Sequence, residues 1–80
     1  MRVPRDVDAG ELITLLKKYG YVVIRQTGSH IRLLKKTPDG EHAITIPNHN
    51  PIKIGTLQSI VKDICGFNKL NNIDSFYKQI

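Results

Sequence analysis

The chain has 80 residues, and its 12 lysines and arginines against 7 aspartates and glutamates give a formal charge of +5 at pH 7. That length predicts one domain, residues 1–80, near the lower limit for folding without metals or disulfides, and a single cysteine excludes an internal disulfide. No apolar run approaches the ~20 residues of a membrane span and no signal-peptide pattern opens the chain, so a cytoplasmic protein is expected.

The excess of positive charge favours a polyanionic or acidic partner. Cys65 lies in an apolar helical pattern and reads as a buried, reduced thiol.

In chain order, Met1 to Val7 holds Pro4 and mixed charges and reads as an extended entry segment. Asp8 followed by Glu11 forms a capping-box pattern. Leu12, Ile13, Leu15, Leu16 and Tyr19 then recur at helical spacing, and Gly20 stands at the usual C′ position, so a helix is predicted over Ala9 to Tyr19. Tyr21 to Thr27 opens with four β-prone residues. Gly28-Ser29 is a two-residue hairpin loop with glycine first, the type II′ signature.

The second strand is expected from Ser29 or His30 to Lys36. Thr37-Pro38-Asp39-Gly40 forms a turn, and the third strand covers about Glu41 to Pro47. Asn48-His49-Asn50-Pro51 breaks regular structure. A second helix is predicted over Ile54 to Cys65, burying Leu57, Ile60, Val61 and Ile64 and ending at Gly66. Asn72 can cap a short last helix through Ile73, Phe76, Tyr77 and Ile80. The architecture is therefore α+β, with a three-stranded antiparallel sheet covered by helices on one face.

The two turns fix a register. Thr27 is expected opposite His30, Arg25 opposite Arg32, Val23 opposite Leu34, Leu33 opposite Ile44 and Ile31 opposite Ile46. Val22, Ile24, Ile31, Leu33, Ile44 and Ile46 then share the covered face. The open face carries Arg25, Thr27, His30, Arg32 and Thr45, with Val23 and Leu34 at its far end. Two arginines placed directly opposite each other destabilise a strand pair; an anion bound between them would reverse that.

The same register puts His30 opposite Pro47, beside the exit into the loop that leads through His49 and Lys53 to the start of the second helix. The unpaired N–H groups and positive dipole end of a helix N-terminus suit a phosphate, so the Gly55 and Thr56 amides join the candidate site. The three histidines match no metal-ligand spacing and no cysteine pair exists, so neither metal nor other cofactor is expected. A Ser-His-Asp arrangement built on Ser29 is not expected either, for want of an orienting carboxylate. His42, near a hairpin turn, reads as solvated.

Gly20-Tyr21, Arg25-Gln26-Thr27-Gly28-Ser29-His30, Ile46-Pro47-Asn48-His49 and Ile54-Gly55-Thr56-Leu57 together resemble, in order and spacing, the HicA toxin family. These are small mRNA-interferase components of bacterial and archaeal type II toxin–antitoxin pairs. The resemblance covers about Val3 to Ile64. It departs at Ile54, where the family often has proline, and leaves the tail from Gly66 outside the shared pattern.

The resemblance implies a double-stranded-RNA-binding-domain-like fold, ribosome-independent cleavage of mRNA, and neutralisation by a HicB antitoxin that covers the active site. It places the family's catalytic histidine on His30. An imidazole can both accept and donate a proton near neutral pH, which metal-free RNA cleavage requires. On this reading His30 is the general base or acid. Arg25, Ser29, Arg32, Lys53, Gly55 and Thr56 hold phosphate, and His49 is a candidate second acid or base. Two other classes share the composition: a non-catalytic RNA-binding module of the same fold, and a protein-interaction domain using the open face with Val23, Leu34 and Tyr21.

Overall fold

The computed structural model describes residue 4 and residues 6–80. Its elements run α1 (Ala9–Lys18), β1 (Val22–Thr27), β2 (His30–Thr37), β3 (Gly40–Pro47), α2 (Ile54–Phe67) and α3 (Ile73–Tyr77). The three strands form one antiparallel sheet in the order β1-β2-β3. This is the α-β-β-β-α order expected, with the short last helix present.

The entry segment expected over Met1 to Val7 lies mostly outside the described residues. Its last residue, Val7, is buried, and its carbonyl accepts the Ile52 N–H at 2.8 Å.

The α1 capping box forms as its sequence dictates: the Asp8 N–H donates to the Glu11 carboxylate at 3.3 Å. Lys17 and Lys18 in the last turn complement the helix dipole. Leu12, Ile13, Leu15 and Leu16 are buried. The helix stops one residue before its predicted end, with Tyr19 as C-cap. Gly20 turns the chain at φ +96°, a conformation that costs glycine nothing.

β2 and β3 pair without interruption from His30–Pro47 to Thr37–Gly40. Ile31, Leu33, Ile44 and Ile46 are buried toward the helices. β1 corrects the predicted register. Thr27–His30 and Arg25–Arg32 pair as expected, but a bulge at Ile24 shifts the rest, so Val23 faces Leu33 and Val22 faces Leu34.

Val22 and Ile24, expected in the core, are exposed. Both long helices pack over β3, with α3 against α2, and β1 overhangs the core at the sheet edge. Tyr21 is also corrected: it precedes the strand and is buried, with only 1% of its surface exposed.

α2 runs two residues past its predicted end. Gly66 lies inside it, Asn68 is the C-cap and Lys69 takes the left-handed conformation at φ +56°. Leu57, Val61, Ile64 and Cys65 are buried, while Ile60 is only partly so. Asn72 caps α3 by accepting the Ser75 N–H at 3.1 Å. Phe76, a buried residue of α3, meets the Tyr19 ring at 5.5 Å between centroids.

His42 is not the solvated residue expected. Its side chain is 12% exposed, and its ring stacks on Phe67 at 4.7 Å with an interplanar angle of 11°. The Lys35 ammonium donates to the Asn68 Oδ1, which turns the Asn68 amide nitrogen toward the Tyr21 hydroxyl at 3.1 Å and the Ile64 carbonyl at 2.8 Å. The Tyr21 hydroxyl, already accepting from Asn68, gives its own hydrogen to His42 Nδ1 at 2.6 Å. A neutral imidazole then carries its hydrogen on Nε2. That atom lies 3.1 Å from an Asp63 carboxylate oxygen but is poorly aimed for a hydrogen bond to it.

Burial pushes the Tyr21 hydroxyl pKa above 10.0; the Asn68 hydrogen bond offsets part of the rise and the Asp63 charge adds to it. Burial likewise raises Tyr77, with smaller contributions from Cys65 and Asp74. An acid whose folded value lies above its unfolded value supports the fold fully below the unfolded value, and that support is lost as pH rises through the folded one. Denaturant unfolding measured across this range should therefore show stability falling once pH passes 10.0. The decline should be shallower in Tyr21→Phe and Tyr77→Phe.

Candidate functional site

The hairpin turn works because Gly28 adopts φ +57°, open to glycine at no steric cost. Ser29 stays out of the left-handed region, as a type II′ turn requires. His30 opens β2 with an exposed side chain, between Thr27 on β1 and Pro47 on β3. The Asn48 N–H donates to the Ser29 carbonyl at 2.6 Å, which carries the pairing one step past the strands and fixes the loop exit against the turn. The His49 N–H then folds back onto the Pro47 carbonyl at 2.9 Å.

The adjacent row is Arg25, Arg32 and Thr45. Here the Arg32 guanidinium donates to the Thr45 hydroxyl at 3.1 Å, so one arginine is aimed by a neighbour. Thr45 was legible on this face, but its role as a partner of Arg32 was not read from the sequence. Both arginines are exposed, and among the described residues neither has a carboxylate partner. Like charges directly opposite across a strand pair are unfavourable, and a bound anion would offset that cost.

The loop from Asn48 to Lys53 is pinned at two points. Ile52 is buried and bonded to Val7, and the Asn50 side-chain oxygen accepts the Ala9 N–H at 3.4 Å. α2 then begins with Lys53 at its N-cap, no side-chain cap and no acidic residue in the first turn. The Ile54, Gly55 and Thr56 amides thus have no acceptor among the described residues.

Arg25, Ser29, His30 and Arg32 therefore share the turn and the two rows beneath it. His49 lies on the loop that leaves from beside His30. Lys53, Gly55 and Thr56 form a second group at the far end of that loop, and no hydrogen bond among the described residues joins it to the first.

Residues 9–64 match the family model described as "HicA toxin of bacterial toxin-antitoxin". The chain belongs to the HicA toxin family. The match spans α1, the whole sheet and most of α2, and leaves α3 outside it. No curated protein and no solved structure gives a match. Membership in a toxin–antitoxin family implies an antitoxin partner for this chain.

One substitution tests the turn as an anion cradle and a second tests the start of α2. Arg25→Gln removes the like-charge opposition and should raise stability at low salt by a few tenths of a kcal/mol. Added sulfate should raise the melting temperature of the wild type more than that of the variant. At Gly55 an added Cβ meets nothing within 4 Å, so Gly55→Ala should stabilise α2 by up to about 1 kcal/mol. Thermal denaturation reads both.

Proposed function

We propose that the chain is an mRNA interferase: a metal-free endoribonuclease that acts through His30 and is neutralised by a HicB-type antitoxin. The observation that carries the reading is an exposed imidazole held at a strand end, one row from two guanidinium groups that lack a carboxylate partner among the described residues. The family match supports it.

His30 transfers a proton at one of two points. As a base it takes the proton of the 2′-OH while that oxygen bonds to phosphorus; as an acid it protonates the 5′ oxygen as the P–O5′ bond breaks. Arg25 and Arg32 stabilise the charge that develops on the phosphoryl oxygens. Ser29 and the Lys53-Gly55-Thr56 group hold a neighbouring phosphate, and His49 is the candidate for the complementary proton transfer. A strand end holds the imidazole more firmly than a mobile loop would, which suits a group that must meet a specific oxygen.

The decisive experiment compares wild type with His30→Ala in cleavage of a defined mRNA. Loss of the proton-transfer group should slow cleavage by roughly 10²–10⁴-fold. RNA binding should persist, weakening with salt as counterions are released. Cleavage by the wild type should be unchanged by EDTA. Equal cleavage by the two proteins would reject His30 as the catalyst and leave RNA binding without catalysis.

A further inference from the structure

Three large apolar side chains stand in solvent one after another: Val22, Val23 and Ile24 are 56%, 42% and 51% exposed. Their exposure has a structural cause. Among the described residues β1 is an edge strand bonded only to β2, and the long helices pack over β3, so neither face of β1 gains a cover from them. The bulge leaves Val22 opposite Leu34 on one face, Val23 opposite Leu33 on the other, and Ile24 between them. A run of exposed aliphatic residues on a domain this small marks an interaction surface.

We propose that β1 is the docking surface for the antitoxin, through a segment that is both apolar and acidic. This rests on the proposed function and deepens it by naming the surface and chemistry of that partner. The apolar strip leads directly into Arg25, which faces Arg32, and neither arginine has a carboxylate partner among the described residues. A partner that sets aliphatic side chains against Val22, Val23 and Ile24 brings its next residues to that pair. A carboxylate there completes the charge balance. It also takes the place a phosphate would occupy, one row from His30, so partner and RNA exclude each other.

RNA itself fits the strip poorly. Single strands are held by phosphate contacts and by stacking on aromatic side chains, and Val22, Val23 and Ile24 offer neither. A second copy of the chain fits poorly too. The bulge interrupts the ladder that self-pairing of edge strands needs, and two chains of charge +5 would bring their Arg25 residues together. The same bulge favours docking on side chains over extension of the sheet.

The test uses the full chain co-expressed with its antitoxin. Val22→Glu combined with Ile24→Glu places repulsive charge on the strip without touching the proposed catalytic or phosphate-binding groups. The double variant should keep its circular dichroism and cleave RNA within about twofold of wild type. It should bind the antitoxin at least about 30-fold more weakly, as loss of an interface hot spot does. In the wild-type complex, hydrogen exchange should slow at residues 22–27.

Unchanged antitoxin affinity, or protection confined to other elements, would overturn the proposal. So would loss of RNA cleavage by a folded double variant, which would give the strip to RNA. Self-association of the wild type that the double variant abolishes, with antitoxin binding intact, would give the strip to a second copy. If the double variant does not fold, the exchange map of the wild-type complex decides alone. A wild type that binds the antitoxin at β1 but cleaves no RNA would reject the proposed function and leave the docking surface standing.

Discussion

The unbroken pairing of β2 with β3 is the constraint on which both the core and the candidate site depend. Side chains alternate along a strand with period two, so one register decides which residues meet the helices and which meet solvent. Pairing His30 with Pro47 and Thr37 with Gly40 sends Ile31, Leu33, Ile44 and Ile46 inward and leaves His30, Arg32 and Thr45 outward. A slip of β2 by one residue would bury His30 and Arg32 and expose Ile31 and Leu33. The hydrophobic effect on one face thus holds the chemistry on the other, and the short turns at Gly28-Ser29 and Pro38-Asp39 exclude neighbouring registers.

Much of this was legible because each signal had a local cause. Asp8 and Glu11 announced the start of α1, Gly28 the hairpin, and Asn72 the last helix. The pairing of Arg25 with Arg32 and of His30 with Pro47 followed from turn lengths alone. The far half of β1 was not legible. Tyr21-Val22-Val23-Ile24 reads as a buried strand, yet a bulge carries no compositional mark here, and no residue states that the helices lie over β3. Tyr21 left the strand because Gly20 turns the chain just before it and the hydroxyl finds partners on α2 and β3. Gly66 differs in the opposite sense: a side chain there would meet nothing within 4 Å, no steric demand for glycine ends the helix at that point, and α2 continues to Phe67.

His42 was misread for a related reason. Proximity to a turn says nothing about what a helix from elsewhere in the chain lays over it. Its direct partners are Tyr21 before β1 and Asp63 and Phe67 on α2, while Asn68 at the α2 cap and Lys35 on β2 join the cluster through Tyr21. No spacing in the sequence joins those five. The cluster ties the end of α2 to the end of the sheet remote from His30, while the start of α2 stands beyond the loop that leaves from Pro47. The helix therefore spans the domain between a polar anchor at one end and the unpartnered amides of its first turn at the other.

The overhang of β1 also sets a gradient of persistence across the sheet. Local opening is easiest where little apolar surface is buried, and every residue of β1 is exposed whereas β2 and β3 each bury two. The His30 imidazole and Arg32 ride on the durable hairpin, and Arg25 rides on the strand that opens first. A molecule that bridges the two arginines consequently does more than balance their charge. It fastens the sheet's outer strand to its inner two, so the site reaches its full rigidity only in company.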